Sequence, residues 1–393
     1  MTDERPFAGL RVFDATQGIA GPHGAMLLAL HGADVIKVEP LGGDWGRFVG
    51  LTYEDLGAHS MAFNRGKRSI AIDLKSDAGR ATAQKLAFES DIIIEAFRPG
   101  VMDKFGLGYE EVKAQNPEII YCSVTGYGQK GPNRDRKVSD AIIQAFSGLM
   151  YTNKDDRGVP RRIGMIAIDV ITGLYAYQAI SAAVLKRFRF GGGAYIDCNL
   201  MQSAAAFQSA KIIEHVLEGG APQALSAPVG TMPTSDGYIN MSVVKQEHYV
   251  LVCEALGRPD LVEDPRFKEL PERLRRADEL LEIVHAEMVK KTTAEWQALL
   301  SDAGIMNAPI STYDEFLADP HTAEAEAVVY ANLDGVGEIP MVNIPGIPNI
   351  VPDSFDASVP HLGEHSRDIL AEAGYDDAAI DELIATKAIG SRD

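Results

Sequence analysis

From Leu10 to Val124 short apolar runs alternate with longer mixed stretches, and this alternation constrains the fold more than any other feature of the chain. Leu10-Arg-Val-Phe-Asp14 reads as a strand. Pro22 to His31 reads as a helix closed by Gly32, and Pro22 suits a first helical turn. Ala33 to Val38 is the next strand. Ser69 to Leu74 is another, followed by a helix from Asp77 to Glu89. Asp91 to Glu95 and Glu118 to Val124 have the composition of short buried strands. Strands separated by helices predict a parallel sheet with helices on both faces, a Rossmann-like α/β domain. Such sheets bind ligands at the carboxyl ends of their strands.

The character changes near residue 225. Pro228 to Gly237 is rich in turn residues, and Tyr238 to Val244 reads as a strand. Helical patterns follow at Glu247–Leu256, Pro271–Lys290 and Thr293–Ala303. From Ala331 the chain is rich in Gly and Pro, and it ends in polar helices over Ser366–Ala373 and Asp377–Thr386. The expected organisation is a large α/β domain over 1–225, a smaller α+β domain over 226–330, and a segment over 331–393 that returns to the large domain. A chain of 393 residues is long enough for both cores.

Ile163 to Leu185 carries a single ionisable carboxylate, Asp169. Val170 to Leu185 has helical periodicity, so Asp169 sits where an N-cap residue would accept the free amides of the first turn. A carboxylate in apolar surroundings is also where nucleophiles and bases are found. The residues three, four and seven positions on are Thr172, Gly173 and Ala176, all small. That face admits either a bulky ligand or a closely packed helix, and Gly173 costs about 1 kcal/mol of helix stability relative to Ala.

Net charge is −19, from 37 basic and 56 acidic residues, which argues against a nucleic-acid surface. A local basic cluster can still hold an anion. Cys122, Cys198 and Cys253 are too scattered for a disulfide framework or a metal site. No His-x-x-x-His, Cys-x-x-Cys or Asp-x-Asp spacing points to a metal. The polar start Met1-Thr-Asp-Glu-Arg-Pro6 lacks the apolar core of a signal peptide, and no apolar run suits a membrane span, so a cytoplasmic protein is expected. Gly18-Ile-Ala-Gly-Pro-His-Gly24 joins the first strand to the first helix, but its glycine spacing is not that of a dinucleotide loop. Asn64-Arg-Gly-Lys-Arg-Ser69, Arg98-Pro-Gly-Val-Met-Asp-Lys104 and Lys137 supply three basic loops that would gather at one sheet edge and hold phosphates. His23 and His31 read as structural. Without a metal signature or a Gly-x-Ser-x-Gly elbow, Asp169 is the best-placed reactive group.

Over nearly its whole length the chain resembles the class III CoA-transferases, the family of formyl-CoA transferase and crotonobetainyl-CoA:carnitine CoA-transferase. The resemblance is carried by Leu10-Arg-Val-Phe-Asp-Ala-Thr16, Ala20-Gly-Pro22, Gly32-Ala-Asp-Val-Ile-Lys-Val-Glu-Pro40, Asn64 to Ile70, Glu95-Ala-Phe-Arg-Pro-Gly100, Gly126-Tyr-Gly128, Asp264-Pro-Arg-Phe267 and Leu362-Gly-Glu-His-Ser366. It implies that Asp169 is a nucleophile which becomes an aspartyl-CoA thioester, with Gln17 near the reacting groups. It implies that Lys67, Arg68, Arg98, Lys104 and Lys137 serve the coenzyme A of an acyl-CoA donor. The acceptor would be a small carboxylic acid, with a dicarboxylate and a succinyl-CoA donor as the expected pair. Arg47, Arg161 and Arg162 are available for a second carboxylate or for the surface. The family's architecture is an interlaced homodimer with the active site between a large and a small domain.

Two departures from the formyl-CoA transferases matter. Residues 228–238 contain no glycine run, and Lys137-Val-Ser139 replaces the tyrosine expected after the lysine. The first points away from formyl-CoA and oxalate as substrates, and the second towards room for a larger acyl group. The α-methylacyl-CoA racemases share the fold but need a His before an Asp. Here that segment is Val138-Ser-Asp140, and Ser139 is a poor proton shuttle. A CoA-binding protein without turnover is the third reading, which the intact Asp169 disfavours.

Overall fold

Strands β1 (Arg11–Ala15) and β2 (Asp34–Glu39) flank helix α1 (Ala20–Leu30). Strand β3 (Arg68–Ile72), helix α2 (Asp77–Phe88) and strand β4 (Ile92–Glu95) continue the alternation. Helix α3 (Tyr109–Gln115) and strand β5 (Ile120–Thr125) follow. After α4 (Asp140–Phe146) and the long α5 (Ala167–Phe190), strand β6 (Ala194–Asn199) leads into α6 (Leu200–Phe207). In this computed structural model residues 4–155, 157–220 and 225–392 are described; Met1 to Asp3 of the polar start lie outside them.

The pairings β3-β2-β1-β4-β5-β6 are all parallel, in register from Arg11 opposite Asp34 and Val12 opposite Ile92. Strand side chains alternate between faces. Val12, Ile92, Ile94, Ile120 and Cys122 pack on one face beneath α1 and α5. Phe13, Ile36, Ile70, Ile93 and Tyr121 pack on the other, against residues of α2 and the C-terminal helices. Apolar residues at successive positions of these strands are thus buried on both faces, as a parallel sheet requires.

Helices α1 and α5 cross closely enough to need glycine. A Cβ on Gly173 would lie 2.7 Å from His23 Nδ1 and 2.8 Å from the Ala20 carbonyl. One on Gly24 would lie 3.0 Å from the Gly173 carbonyl. The small face of α5 is therefore packed by a helix, and Thr172, Gly173 and Ala176 are all buried there. Gly173→Val is expected to destabilise the fold by about 2 kcal/mol through overpacking. Denaturant unfolding reads this, and an unchanged midpoint would mean that the helices can part. Helix α5 is the one described helix long and apolar enough to cross a membrane, and one of its faces, with Ile168, Ala176, Ile180 and Val184, is buried in the core of the large unit.

The chain divides into two compact units, Met1–Ser209 with Ala325–Asp393, and Ala210–Glu324. The divisions thus fall at Ala210 and Ala325, earlier in the chain than 226 and 331. The second unit holds an antiparallel sheet of β7 (Gly230–Pro233), β8 (Tyr238–Ser242) and β9 (Met306–Pro309), with β8 central. Its core gathers Tyr249, Phe267, Leu280 and Trp296, with α7 (Gln246–Ala255), α8 (Ala277–Met288) and α9 (Thr293–Asp302) around the sheet. The helix expected over Pro271–Lys290 is two helices, because the chain leaves helical geometry at Arg276.

The Gly- and Pro-rich stretch contains a hairpin, β10 (Val328–Leu333) and β11 (Gly337–Val342). Asp334-Gly335 turns it, with Gly335 at φ +67°. Helices α10 (Ser366–Glu372) and α11 (Asp377–Ala385) then lead to β12 (Ile389–Gly390), which adds antiparallel to β3 and completes a seven-stranded sheet.

Candidate active site

A cavity of about 630 Å³ opens at the carboxyl ends of β1, β4 and β5, where Ala15, Ala96 and Thr125 line it. The parallel strands end there together, and the loops that leave them form the walls. Asp169 lies in this cavity, half-buried, on the first turn of α5.

The helix begins at Ala167, so Asp169 is inside it and is not its N-cap. Ile166 occupies the cap position and offers no side-chain acceptor. The cap comes from Asp140, at the start of α4. Its Oδ2 accepts from the amides of Ile168 at 2.7 Å and Asp169 at 3.1 Å, and its Oδ1 accepts from Gln144 Nε2 at 2.5 Å. Two of the first-turn amides that a helix leaves free are thereby satisfied from 28 and 29 residues away. The Asp169 carboxylate is released from that duty and faces the cavity, where no described cation pairs with it. Burial, and then the charge of Asp140, push it up to about 7. Near neutral pH such a carboxylate is held poised between its two forms, which suits a nucleophile or a proton acceptor.

Of the other residues singled out in the sequence, Gln17, Arg98 and Lys137 line the same cavity. Gln17 leaves β1 directly. Arg98 follows β4 on a turn fixed by Glu95, whose carboxylate accepts from the Phe97 amide at 2.8 Å. Burial pushes Glu95 itself up to about 7. Lys137 precedes α4 and is exposed. Lys104 is exposed on a 3-10 turn, Asp103–Phe105, outside the cavity lining.

Lys67 and Arg68 require correction. Lys67 is fully buried, and its ammonium donates to Asp14 Oδ2 at 2.8 Å, the Pro22 carbonyl at 2.8 Å and Asn64 Oδ1 at 2.9 Å. Burial lowers it to about 8. Arg68 opens β3 and pairs with Asp34, which opens β2, and with Glu372. The Asn64–Ser69 loop precedes its strand rather than following it, so Arg68 belongs to the opposite edge of the sheet. Arg47 is also buried, with Nε 2.6 Å and Nη2 2.7 Å from the Glu39 carboxylate. Arg161 pairs with Asp155 on the surface, and Arg162 is exposed.

Sequence reasoning passed over Arg134, Arg136 and Trp45, which also line the cavity. The run Asn133-Arg-Asp-Arg-Lys137 was the available signal for the two arginines. Arg98, Arg134, Arg136 and Lys137 together make a cationic wall in a chain of net charge −19. Trp45, Phe97, Ile19 and Leu200 supply apolar surface beside it. A polyanion carrying an apolar acyl group suits both parts.

The three cysteines are buried and free, and burial pushes Cys198 up to about 12 and Cys122 well above the usual thiol range, so neither is a ready thiolate at neutral pH. Glu54, Asp55 and His361 come close enough together to share an ion. Arg392 and Arg47 already pair with those two carboxylates, and none of the three residues lines the cavity.

The chain matches CoA-transferase family III over residues 7–366. It is 34% identical to the succinyl-CoA:glutarate CoA-transferase of Mus musculus, covering 98% of this chain and 90% of that protein. It is 33% identical to the succinate–glutarate CoA-transferase of Agrobacterium fabrum, covering 93% and 95%. Its fold superimposes on the crystal structure of a CAIB/BAIF family protein from Brucella suis with a TM-score of 0.83, at 33% identity, covering 94% of this chain and 99% of that one. Matched in this way over nearly its whole length, the chain is a CoA-transferase enzyme and belongs to CoA-transferase family III.

Proposed function

We propose that this enzyme moves CoA from an acyl-CoA to a carboxylic acid through a covalent intermediate on Asp169. The observation that carries the reading is the unpaired Asp169 carboxylate, freed from capping by Asp140 and open to the cavity. Its oxygen attacks the thioester carbonyl, the carbon–sulfur bond breaks, and CoA leaves as the thiolate. The resulting mixed anhydride is attacked at the aspartyl carbonyl by that thiolate. This gives the aspartyl-CoA thioester and releases the donor acid as its carboxylate. The acceptor carboxylate then attacks the aspartyl thioester, and the thiolate returns to the acyl carbonyl of the new anhydride. Each thiolate that leaves is consumed in the next step, so no proton is gained or lost overall. Splitting the exchange in this way replaces one difficult displacement with easier ones. The apolar surface of Trp45, Phe97 and Leu200 excludes the water that would hydrolyse the anhydride. Gln17 reaches the reacting carbonyl from the β1 side.

Arg98, Arg134, Arg136 and Lys137 take the phosphates of CoA and the charge of the acceptor, and Lys104 is available to the nucleotide end. The relatives' glutarate and succinyl-CoA support a small dicarboxylate acceptor with succinyl-CoA as donor. The active enzyme is a homodimer. Arg98→Ala and Lys137→Ala are each expected to raise KM for the acyl-CoA roughly tenfold, the worth of one charge-assisted phosphate contact. Steady-state kinetics at two salt concentrations check this, and an unchanged KM in either variant removes that residue from the binding wall.

The deciding experiment is intact mass after incubation with succinyl-CoA and trapping with hydroxylamine, followed by peptide mapping. A hydroxamate on Asp169 is the expected product. No modification by any thioester in a donor panel, together with exchange of the α-proton, would instead support a racemase, although Ser139 offers that chemistry no imidazole.

A further inference from the structure

Beneath the cavity lies a cluster of ionised side chains with no access to solvent. The Lys37 and Asp44 side chains are 0% and 1% exposed, and Lys37 Nζ lies 2.9 Å from Asp44 Oδ2. Each also bonds the short segment that carries Gln17. Lys37 Nζ donates to the Thr16 carbonyl at 3.2 Å, and Asp44 Oδ1 accepts from the Gly18 amide at 2.8 Å. The Thr16 amide donates to Asp14 Oδ1 at 3.0 Å. The backbone is thus pinned immediately before and immediately after Gln17. Asp44 Oδ1 also accepts from the Gly46 amide at 2.8 Å, which fixes the turn bearing Trp45. Gly18 has φ +81°, and a Cβ there would lie 2.2 Å from the Trp45 ring. Loop and ring are therefore fitted to each other as well as to the ion pair.

A buried ion pair is a weak source of stability, since apolar replacements of the same volume are often neutral or better. Position is the better account of this one. We propose that Lys37 and Asp44 are positioning residues for the transfer reaction: the pair holds Gln17 and Trp45 at the cavity, and its loss lowers turnover by displacing Gln17. The proposal rests on the transferase reading given above. It concerns residues that line no part of the cavity and touch no substrate.

Asp44→Asn tests it. The amide oxygen can still accept from Gly18 and Gly46, but its NH2 opposes the Lys37 ammonium, so the link to Thr16 loosens while the turn survives. The expected result is a loss of roughly 100-fold in kcat, the scale for a misplacement of about 1 Å. KM for the acyl-CoA should stay within about threefold, because the cationic wall lies on other loops. The distinguishing measurement is a double-mutant cycle with Gln17→Ala. If Asp44 acts through Gln17, Asp44→Asn costs less than about threefold further in the Gln17→Ala background. Full additivity of the two losses would overturn the proposal, as would an unchanged kcat in soluble, folded Asp44→Asn. A drop in kcat that tracks lost CoA affinity and a lower melting temperature would assign the pair to stability alone. If Asp44→Asn does not fold, Lys37→Met with Asp44→Asn removes the buried charge conflict and takes its place in the same cycle. Wild-type turnover in Gln17→Ala would overturn the proposal while trapping on Asp169 still tested the transferase reading. Absence of trapping in the wild type would sink that reading by itself.

Discussion

Asp169→Asn should reduce CoA transfer by about 10⁴-fold or more, because the amide keeps the shape of the side chain and cannot attack a thioester. Trapping with hydroxylamine should then leave the protein mass unchanged. The pH dependence adds a second signature. The nucleophile must be ionised, and burial with the charge of Asp140 holds Asp169 up to about 7. In the wild type kcat/KM for the acyl-CoA should fall about tenfold per pH unit as pH drops below about 7. Stability should move the other way. The folded-state value lies above the unfolded value of 3.8, so the charged group opposes folding, fully above about pH 7 and not at all below about 3.8. Asp169→Asn should therefore be more stable than wild type at pH 8, on the order of 2 kcal/mol after allowing for partial exposure, and equal to it near pH 3.5. An inactive variant that is also less stable at pH 8 would mean that Asp169 supports the helix instead of the chemistry.

Much of this was legible in the sequence. Strands such as Ile92–Glu95 are short, apolar and bounded by polar residues, and local composition suffices to find them. The small face of α5 admitted either a bulky ligand or a close helix, and α1 is what packs against it. What failed were inferences that depend on a partner far along the chain. Asp169 looked like a cap because it is the only acceptor near the helix start, whereas the true acceptor is Asp140. Lys67 looked like a phosphate-binding cation in a basic loop, but Asp14, 53 residues away, draws it into the interior. Arg68 was assigned to the wrong edge of the sheet because the order of loop and strand, rather than charge, decides the edge. The hairpin over 328–342 was hidden by overall Gly and Pro content, although Asp334-Gly335 between two alternating runs is a specific turn signal.

Asp140 is where positioning and electrostatics meet, and its two expected variants separate them. Asp140→Ala removes the acceptor of two first-turn amides, each costing about 1–3 kcal/mol when buried and unpaired. The start of α5 should fray, and Asp169 with it, so turnover should fall roughly 100-fold. Asp140→Asn keeps an oxygen that can face Ile168 and Asp169. Its NH2 then meets Gln144 Nε2, another donor, while Gln144 Oε1 is already engaged by the Ile163 amide at 2.9 Å. The cap is thus weakened, and the like charge beside Asp169 is gone. Losing that charge lowers the value at which Asp169 ionises, so the acid limb of kcat/KM should shift to lower pH in Asp140→Asn while the plateau drops. A purely structural cap would lower the plateau and leave the midpoint in place. A shifted midpoint with an unchanged plateau would mean that Asp140 matters to the nucleophile through its charge alone. Both changes together are expected, because one carboxylate satisfies the helix start and also raises the ionisation of the group that the helix presents.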